Sequence, residues 1–569
     1  MGEVNEFPGE VLRVFGPPGT GKTTYLARMI YGLVRDDGPE STLVCSFSTT
    51  AAHAVTEKFG GDNVVYKPNK KMVGTLHSHA YRAMGHGNVA LDPKIIKDWN
   101  EQATPEMRIT ADKRGSGGDT GKFVTDPTKA VTGDDHLGCL DLLRAKMIPA
   151  DEWPRNIAEF AGQWEAWKKG AGAVDFSDMI EGALQRARDG EPAPGRPQFI
   201  ISDESQDMTP LETSLVLAWG LHATRTVLAG DDDQAINGWR GGSPGPMVTL
   251  NGPNVSDHML TKSHRVPENV RLIAEEWIRR VSFRKEKTYT ARTRRDGDTD
   301  TGEIIGGTAF GVPESLGSKD LVVRINRDLD AGKDVMVIAS CNYMLEPLLT
   351  NLREEGVPFH NPYRPAEMRW NPLGGGRDDT MSTAERVYRY LVLSDRVWTG
   401  DDIRAWMELV KIKDAGMVST AKQMITSWGR DPVPYEDVEA LFKTAEAFEW
   451  AAQPDPDWLA SCLLKSKADY AAYPLEVARQ HGHKALAGEP KVVVGTVHSV
   501  KGAGADVVYL APDMSAAARR SVSESANSRD EVIRQFYVGM TRSKESLRVL
   551  APNGGPHMMG LIPTRLEAM

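Results

Sequence analysis

Val11-Leu12-Arg13-Val14-Phe15-Gly16-Pro17-Pro18-Gly19-Thr20-Gly21-Lys22-Thr23-Thr24 is the stretch on which the fold of this 569-residue chain turns. Its first five residues, apolar apart from Arg13, read as a short buried strand. From Thr24 to Val34 the large apolar residues recur at helical spacing. The string between them fits G-x-x-x-x-G-K-[ST]. Glycine is needed in such a loop because backbone N–H groups must turn inward and cradle phosphate oxygens, at a helix N-terminus that already favours anions. In that arrangement Gly16 to Thr24 form the cradle. Lys22 reaches the β- and γ-phosphates, and the Thr23 hydroxyl sits on Mg²⁺. Strand, glycine-rich loop and helix in this order imply an α/β fold built on a parallel sheet.

Two further runs extend the pattern. Gln198–Ser202 (QFIIS) ends in Asp203-Glu204-Ser205-Gln206-Asp207, and Thr226–Ala229 (TVLA) leads into Gly230-Asp231-Asp232-Asp233-Gln234. Parallel sheets bind ligands at the carboxyl ends of their strands. Asp203 at such an end suits a Mg²⁺ ligand acting through water, and Glu204 suits a group that polarises an attacking water. A lone acidic pair is weak evidence, since most are solvated surface. Three strand-end motifs in this order are strong evidence for a nucleotide-hydrolysing site.

These residues resemble the superfamily 1 DNA helicases of the UvrD/Rep/PcrA type, over nearly the whole chain. Gly16–Thr23 is similar to motif I, Ser46–Ala52 (SFSTTAA) to Ia, Val73–His77 (VGTLH) to Ib and Asp203–Asp207 to II. Gly230–Gly241 (GDDDQAINGWRG) is similar to motif III and Ser263–Arg265 (SHR) to IV. Val494–Gly502 (VGTVHSVKG) is similar to V, and Gln535–Arg542 (QFYVGMTR) to VI. Motifs III, V and VI are long and specific.

The resemblance implies two RecA-like parallel-sheet motor domains of the P-loop NTPase type, each with a mainly helical insertion. It also implies ATP and Mg²⁺ as cofactors, and single-stranded and tailed duplex DNA as partners. Gln234 would sense the γ-phosphate and couple it to the DNA groove. Arg265 and Arg542 would approach that phosphate from across the cleft between the motor domains, a task suited to a permanently charged planar fork. Phe47 and Trp239 fall where the family stacks aromatic rings on single-stranded bases, which tolerates any sequence. Thr75, His77, Thr496 and His498 would contact backbone phosphate or relay between the two sites. The direction, 3′→5′, is likewise implied by the resemblance alone.

Departures from the family pattern bear on the base and sugar. No glutamine precedes Gln102, so the glutamine that usually reads adenine ahead of motif I is missing. His264 takes the place of the usual base-stacking tyrosine, and Asn237 that of a motif III tyrosine. Thr24 stands where arginine is common. The Lys501-Gly502-Ala503-Gly504 run lacks the motif V carboxylate near the ribose.

The resemblance sets the expected organisation. The first motor domain comprises 1–91 and 191–265, with 92–190 as its insertion. The second comprises 266–380 and 488–569, with a reduced helical insertion at 381–487. Within these, Ala111 to Asp135 reads as a glycine-rich loop and Ser515 to Asp530 as a polar loop. Trp153, Trp164 and Trp167 read as helix-packing core. Asp334–Ala339 reads as a strand followed by a helix and return through Val357. No internal repeat is visible beyond the pseudo-duplication expected of two motor domains, which the sequence does not display.

Composition limits the alternatives. No apolar run approaches the ~20 residues of a membrane span, and Met1 to Glu6 (MGEVNE) is no secretory signal. Four dispersed cysteines, Cys45, Cys139, Cys341 and Cys462, form no CxxC pair, which argues against zinc and disulfides and fits a reducing cytoplasm. The net charge of −10 counts against nucleic acid, but whole-chain charge says little about one groove. A cytoplasmic monomer without a membrane partner is expected. The short stretch after Arg542 leaves no nuclease domain expected there. The reading next in line is a single-strand-DNA-stimulated ATPase that displaces proteins with little unwinding.

Overall fold

In the computed structural model, which describes residues 8–46, 68–85, 87–110, 126–296, 299–364, 367–374 and 381–557 (side chains of 295–301 and 524 excepted), the run before the glycine-rich loop is strand β1 (Glu10–Phe15). Helix α1 (Lys22–Asp37) starts within the loop itself. The chain divides into two units, residues 1–307 with 517–541, and 308–516 with 542–569.

Unit 1 is built on six parallel strands. After β1 come β2 (Thr42–Ser46), β3 (Val73–Thr75), β4 (Phe199–Ser202), β5 (Arg225–Gly230) and β6 (Val255–Met259), in the spatial order β3-β2-β4-β5-β1-β6. Every residue of β2 and β4 is buried, as expected of strands covered on both faces. Alternate side chains point to opposite faces. Val14, Val44, Ile201 and Val227 pack with Leu26, Ala27 and Ile30 of α1. Leu43, Cys45, Ile200 and Leu228 pack on the other side, with α2 (Leu76–Ala83) and with apolar residues further along the chain.

The first insertion has a core of its own. Helices α3 (Pro93–Gln102), α4 (Gly133–Ala145) and α5 (Arg155–Ala171) enclose Trp99, Phe160, Trp164 and Trp167, and Trp99 meets Trp164 edge-on at 5.1 Å. Trp164 and Trp167 are therefore packing residues, as expected, with Trp153 partly buried against the same core. The next helix, α6 (Phe176–Arg188), already belongs to the sheet: Met179, Ile180, Ala183 and Leu184 lie in the core that α2 and α7 (Pro210–Gly220) share. Packing thus places the end of the insertion before the expected residue 190. Asp175 and Asp178 form the capping box of α6 and bind the buried cations Arg144 and Lys168. Glu165, Asp175 and Asp178 converge like metal ligands, but the Lys168 ammonium lies within 2.7 Å of each and fills that place.

The expected boundary at 265/266 does not coincide with the division between the units. Helix α8 (Glu268–Ile278) stays with unit 1 because it packs on the Ala526–Met540 helix: Trp277 Nε1 donates to the Ile533 carbonyl at 2.9 Å, and the Ser282 amide to Asp530 at 2.9 Å. The polar loop expected from Ser515 to Asp530 is helical instead, over Ala516–Glu524 and from Ala526 onward. Polar residues hid two local signals there. Ala516-Ala517-Ala518-Arg519-Arg520 has high helix propensity, and Ser525 caps the second helix by accepting from Ser528 N at 3.1 Å. In the other expected loop, 111–125 lie outside the described residues. Beyond them Pro127–Lys129 is a 3₁₀ turn, and a Thr132/Asp135 capping box starts α4.

Unit 2 carries a second six-stranded parallel sheet of β7 (Thr308–Gly311), β8 (Val335–Ala339), β9 (Phe359–His360), β10 (Val492–Thr496), β11 (Ala505–Leu510) and β12 (Ser543–Val549). The order is β7-β12-β11-β8-β10-β9. Helix α10 (Glu346–Glu354) follows β8 in sequence, as expected, and helix α9 (Lys319–Asp330) precedes it. The second insertion is helical, with α11 (Thr383–Leu391), α12 (Gly400–Met407) and α13 (Lys465–His481) as well as shorter helices. Unlike the first, it has no separate core. Tyr390, Trp398 and Trp406 join Val335, Val337 and Val492 of the sheet in one apolar cluster, and Tyr473 of α13 donates its hydroxyl to the Val357 carbonyl at 2.9 Å. Trp450, by contrast, is 59% exposed.

Candidate active site

Strand order creates the site. Because β5 lies between β1 and β4, the loops after all three meet at one edge of the sheet, with Phe15 opposite Gly230 and Ser202 opposite Leu228. The Gly16 amide leaves β1 by bonding the Gly230 carbonyl at 2.9 Å. Gly19 and Gly21 then adopt φ values of 75° and 80°, which only glycine takes without strain. Thr20 closes the turn on Pro17 through its amide and hydroxyl, at 3.2 and 2.8 Å. Lys22 folds back so that its ammonium reaches the Gly16 carbonyl at 3.3 Å, and Thr23 and Thr24 lie in the first turn of α1.

The acidic loop faces this cradle. Asp203 is 3% exposed, its amide held by the Cys45 carbonyl at 3.0 Å. Glu204 has left-handed backbone geometry (φ 54°), a conformation that costs a non-glycine residue roughly 1 kcal/mol or more and clusters at functional sites. Its carboxylate lies 3.7 Å from Lys22 Nζ and accepts from Gln206 Nε2 at 2.6 Å. Gln206 Oε1 in turn accepts from the Asp231 amide at 3.0 Å, and Asp231 Oδ2 accepts from Gln234 Nε2 at 2.6 Å. One polar chain therefore runs Lys22–Glu204–Gln206–Asp231–Gln234 across the three loops. Sequence reasoning named its two ends and Glu204 but missed Gln206, whose only signal is its place in the acidic loop.

The segment after β6 closes over the glycine-rich loop. Ser263 Oγ donates to the Pro18 carbonyl at 2.8 Å, the His264 amide donates to the Gly19 carbonyl at 2.8 Å, and a side chain at Gly19 would begin 2.7 Å from Arg265 Cβ. His264 and Arg265 thus stand beside the cradle, the His264 side chain exposed. Arg542 belongs to unit 2, where it is fully buried and donates to the Ala503 carbonyl at 3.3 Å.

Behind Gln234 the three acids Asp231, Asp232 and Asp233 are buried around Lys287, while Arg284 forks onto Asp233 at 2.8 and 2.6 Å. Burial opposes the charge of Asp233, but Lys287 and Arg284 outweigh it and hold the carboxyl below its usual range. Asp232 is pushed the other way, by burial first and then by its acidic neighbours. Neither cation was singled out in the sequence, where Arg284-Lys285-Glu286-Lys287 looks like a solvated charge run.

The expected DNA-side residues fall into separate surroundings. Trp239 is half-buried rather than part of a core, on the turn after Gln234. That turn rests on Glu531, which accepts from the Gly238 and Trp239 amides and whose carboxyl burial pushes upward. Arg240 reaches both carboxylate oxygens of Glu212 at 3.1 and 3.0 Å, and His77 lies 3.9 Å from the same group. Burial lowers the His77 pKa despite that carboxylate. Thr75 ends β3 and Thr496 ends β10, the latter fully buried, with His498 half-buried two residues on. Phe47 lies outside the described residues.

Comparison with known proteins identifies the family. The UvrD/REP helicase N-terminal domain matches residues 3–252 and the UvrD-like helicase C-terminal domain residues 471–553, together more than half of the chain. The chain belongs to the UvrD/REP helicase family. YjcD of Bacillus subtilis is 23% identical over 304 residues, 51% of this chain and 39% of that one. The ATP-dependent DNA helicase PcrA of Leuconostoc citreum is 24% identical over 273 residues, 46% and 36% of the two chains. The ATP-dependent DNA helicase UvrD2 of Mycobacterium tuberculosis is 21% identical over 574 residues, 94% and 75%. The chain thus spans about two fifths of the length of YjcD and PcrA and three quarters of UvrD2. The N-terminal match covers the whole Lys22-to-Gln234 chain, and the C-terminal match covers Thr496, His498 and Arg542. Among the described residues, no helix is long and apolar enough to cross a membrane.

Proposed function

We propose that this UvrD/REP-family chain is an ATP-dependent DNA helicase that moves 3′→5′ along single-stranded DNA and separates duplex strands. The observation that carries the reading is the polar chain from Lys22 to Gln234, which joins a phosphate cradle to the turn bearing Trp239. A change at the phosphate has a bonded route to a residue suited to stack on bases.

In this reading the amides of the Gly16–Thr24 loop and the Lys22 ammonium hold the phosphates. The Thr23 hydroxyl and Asp203 carboxylate are hard oxygen donors of the kind Mg²⁺ takes, and they would hold it. A divalent cation held by these two residues would supply charge neutralisation at the phosphates. Glu204 orients and polarises the attacking water once phosphate draws Lys22 away. Gln234 senses the γ-phosphate. Arg265 and Arg542 neutralise charge developing on it, a role worth about 10³–10⁵ in related phosphoryl transfers. His264 stacks on the base. Trp239 and Phe47 stack on DNA bases, while Thr75, His77, Thr496 and His498 track its backbone. Residues 92–190, apart from the sheet-packed helix α6, and residues 381–487 serve as insertions on the two motor domains.

A second reading is a DNA-stimulated ATPase that strips proteins and unwinds poorly. It is favoured by the second insertion, whose Trp398 and Trp406 share the core of their sheet and so leave it no core of its own to move on. The test is strand displacement on 3′- and 5′-tailed duplexes with ATP and GTP, beside displacement of a DNA-bound protein. Unwinding of the 3′-tailed duplex alone is expected. ATP turnover and protein displacement without strand separation would select the second reading, and 5′-tail dependence would reverse the direction.

A further inference from the structure

We infer that Lys287 is a positioning residue of the hydrolytic site, fixing the Asp231 carboxylate that holds the Gln234 amide; this rests on Gln234 as the γ-phosphate sensor. Lys287 is 2% exposed. Its ammonium lies 3.2 Å from Asp231 Oδ1 and 2.9 Å from Asp233 Oδ2, and it donates to Asp232 Oδ1. Burying an ammonium is costly unless its donors are all matched. A lysine carries its charge on one compact centre with three N–H donors; here one of them donates to Asp232, and the ammonium charge lies within ion-pair distance of all three carboxylates.

The two oxygens of Asp231 have different work. Oδ1 faces Lys287 and accepts from the Asp233 amide at 3.3 Å, while Oδ2 accepts from Gln234 Nε2 at 2.6 Å. The remaining charges around the cluster are committed elsewhere. Arg284 forks onto Asp233. Lys285 gives its amide to Asp232 Oδ2 at 2.7 Å and its ammonium to Asp257 at 2.7 Å. Without Lys287, nothing else among these cations reaches Asp231. Three adjacent buried carboxylates would then repel one another, Asp231 would turn, and the Gln234 amide would lose its fixed direction.

The consequence is confined to the chemical step. Lys287 is beyond the phosphate cradle, so its loss should lower turnover without weakening nucleotide binding. An arginine cannot serve three surrounding carboxylates from one compact centre, since its donors lie in a plane.

The test is a double-variant cycle on the full chain, reading ATP turnover on an oligo-dT strand, with thermal melting to establish that each variant is folded. Lys287→Met and Gln234→Ala should each reduce kcat by roughly tenfold or more, with KM for ATP within about threefold. Lys287→Met should cost little further in the Gln234→Ala background, because the residue it positions is gone. If Lys287→Met does not fold, Lys287→Arg carries the same test, with a smaller loss that also vanishes in that background. Losses that multiply, or wild-type kcat in a folded Lys287→Met, would overturn the inference. Wild-type turnover in Gln234→Ala would instead overturn the sensor role on which it rests.

Discussion

Thr75 and Thr496 hold the same local structure at the ends of strands in two different sheets. Each accepts at Oγ1 from the amide three residues on, Ser78 at 3.2 Å and Ser499 at 3.3 Å. Each serine hydroxyl donates back to the threonine carbonyl, at 2.7 and 3.0 Å. The matching sequences are Val73–Ser78 (VGTLHS) and Val494–Ser499 (VGTVHS). The pseudo-duplication is thus written in the sequence after all, as a six-residue string too short to stand out across more than four hundred residues.

Removing either threonine hydroxyl should cost about 1 kcal/mol of local stability, the usual worth of such a cap. Thr75→Ala and Thr496→Ala should both melt earlier and bind an oligo-dT strand more weakly in fluorescence anisotropy, while the serine variants recover both properties. Undiminished binding by folded alanine variants would reduce both residues to caps.

Lys22→Ala should abolish ATP turnover while leaving single-strand affinity within several-fold, because the ammonium faces Glu204 and the phosphate loop rather than the Trp239 turn. Retained turnover would refute the assigned fuel site.

Trp239→Ala should reduce DNA-stimulated turnover far more than basal turnover. A stacked base is worth about 1–3 kcal/mol, so weaker strand affinity should accompany the loss. Equal losses in both rates would count against a track role for this half-buried ring.

Acid should destabilise unit 1 through His79. This imidazole is fully buried against the Val44 carbonyl at 3.0 Å, and burial, helped by Arg82, pulls its pKa down to about 4. The unfolded chain, titrating near 6.5, binds the proton first, so stability is present above pH 6.5 and falls as the pH drops from there toward 4. The full effect is roughly 3 kcal/mol. Melting temperatures at pH 7.5 and 5 should therefore differ more for the wild type than for His79→Gln. An equal acid shift in both would remove His79 as the cause.

The loop from Gly16 to Thr23, the acids Asp203 and Glu204, Gln234 and the two family arginines could each be named as candidates from the sequence. Their chemistry depends on residue type at short spacing. A glycine that must turn, a lysine beside it and an acid at a strand end announce themselves locally. The strands and helices around them followed from apolar periodicity for the same reason.

What only the tertiary structure decided was which of these groups meet. Placing β5 between β1 and β4 brings Gln206 onto Asp231, a bond across 25 residues of sequence. The same folding sinks Lys287 among three carboxylates and sets Glu531 under the Trp239 turn, and it merges the second insertion with its sheet. Charge pairing and apolar burial are satisfied by neighbours in space, so a run such as Arg284 to Lys287 has no fixed meaning until the chain closes around it. The sequence alone determined the family and the candidate phosphate loop; the packing of distant segments decided how that loop is connected to the rest of its sheet.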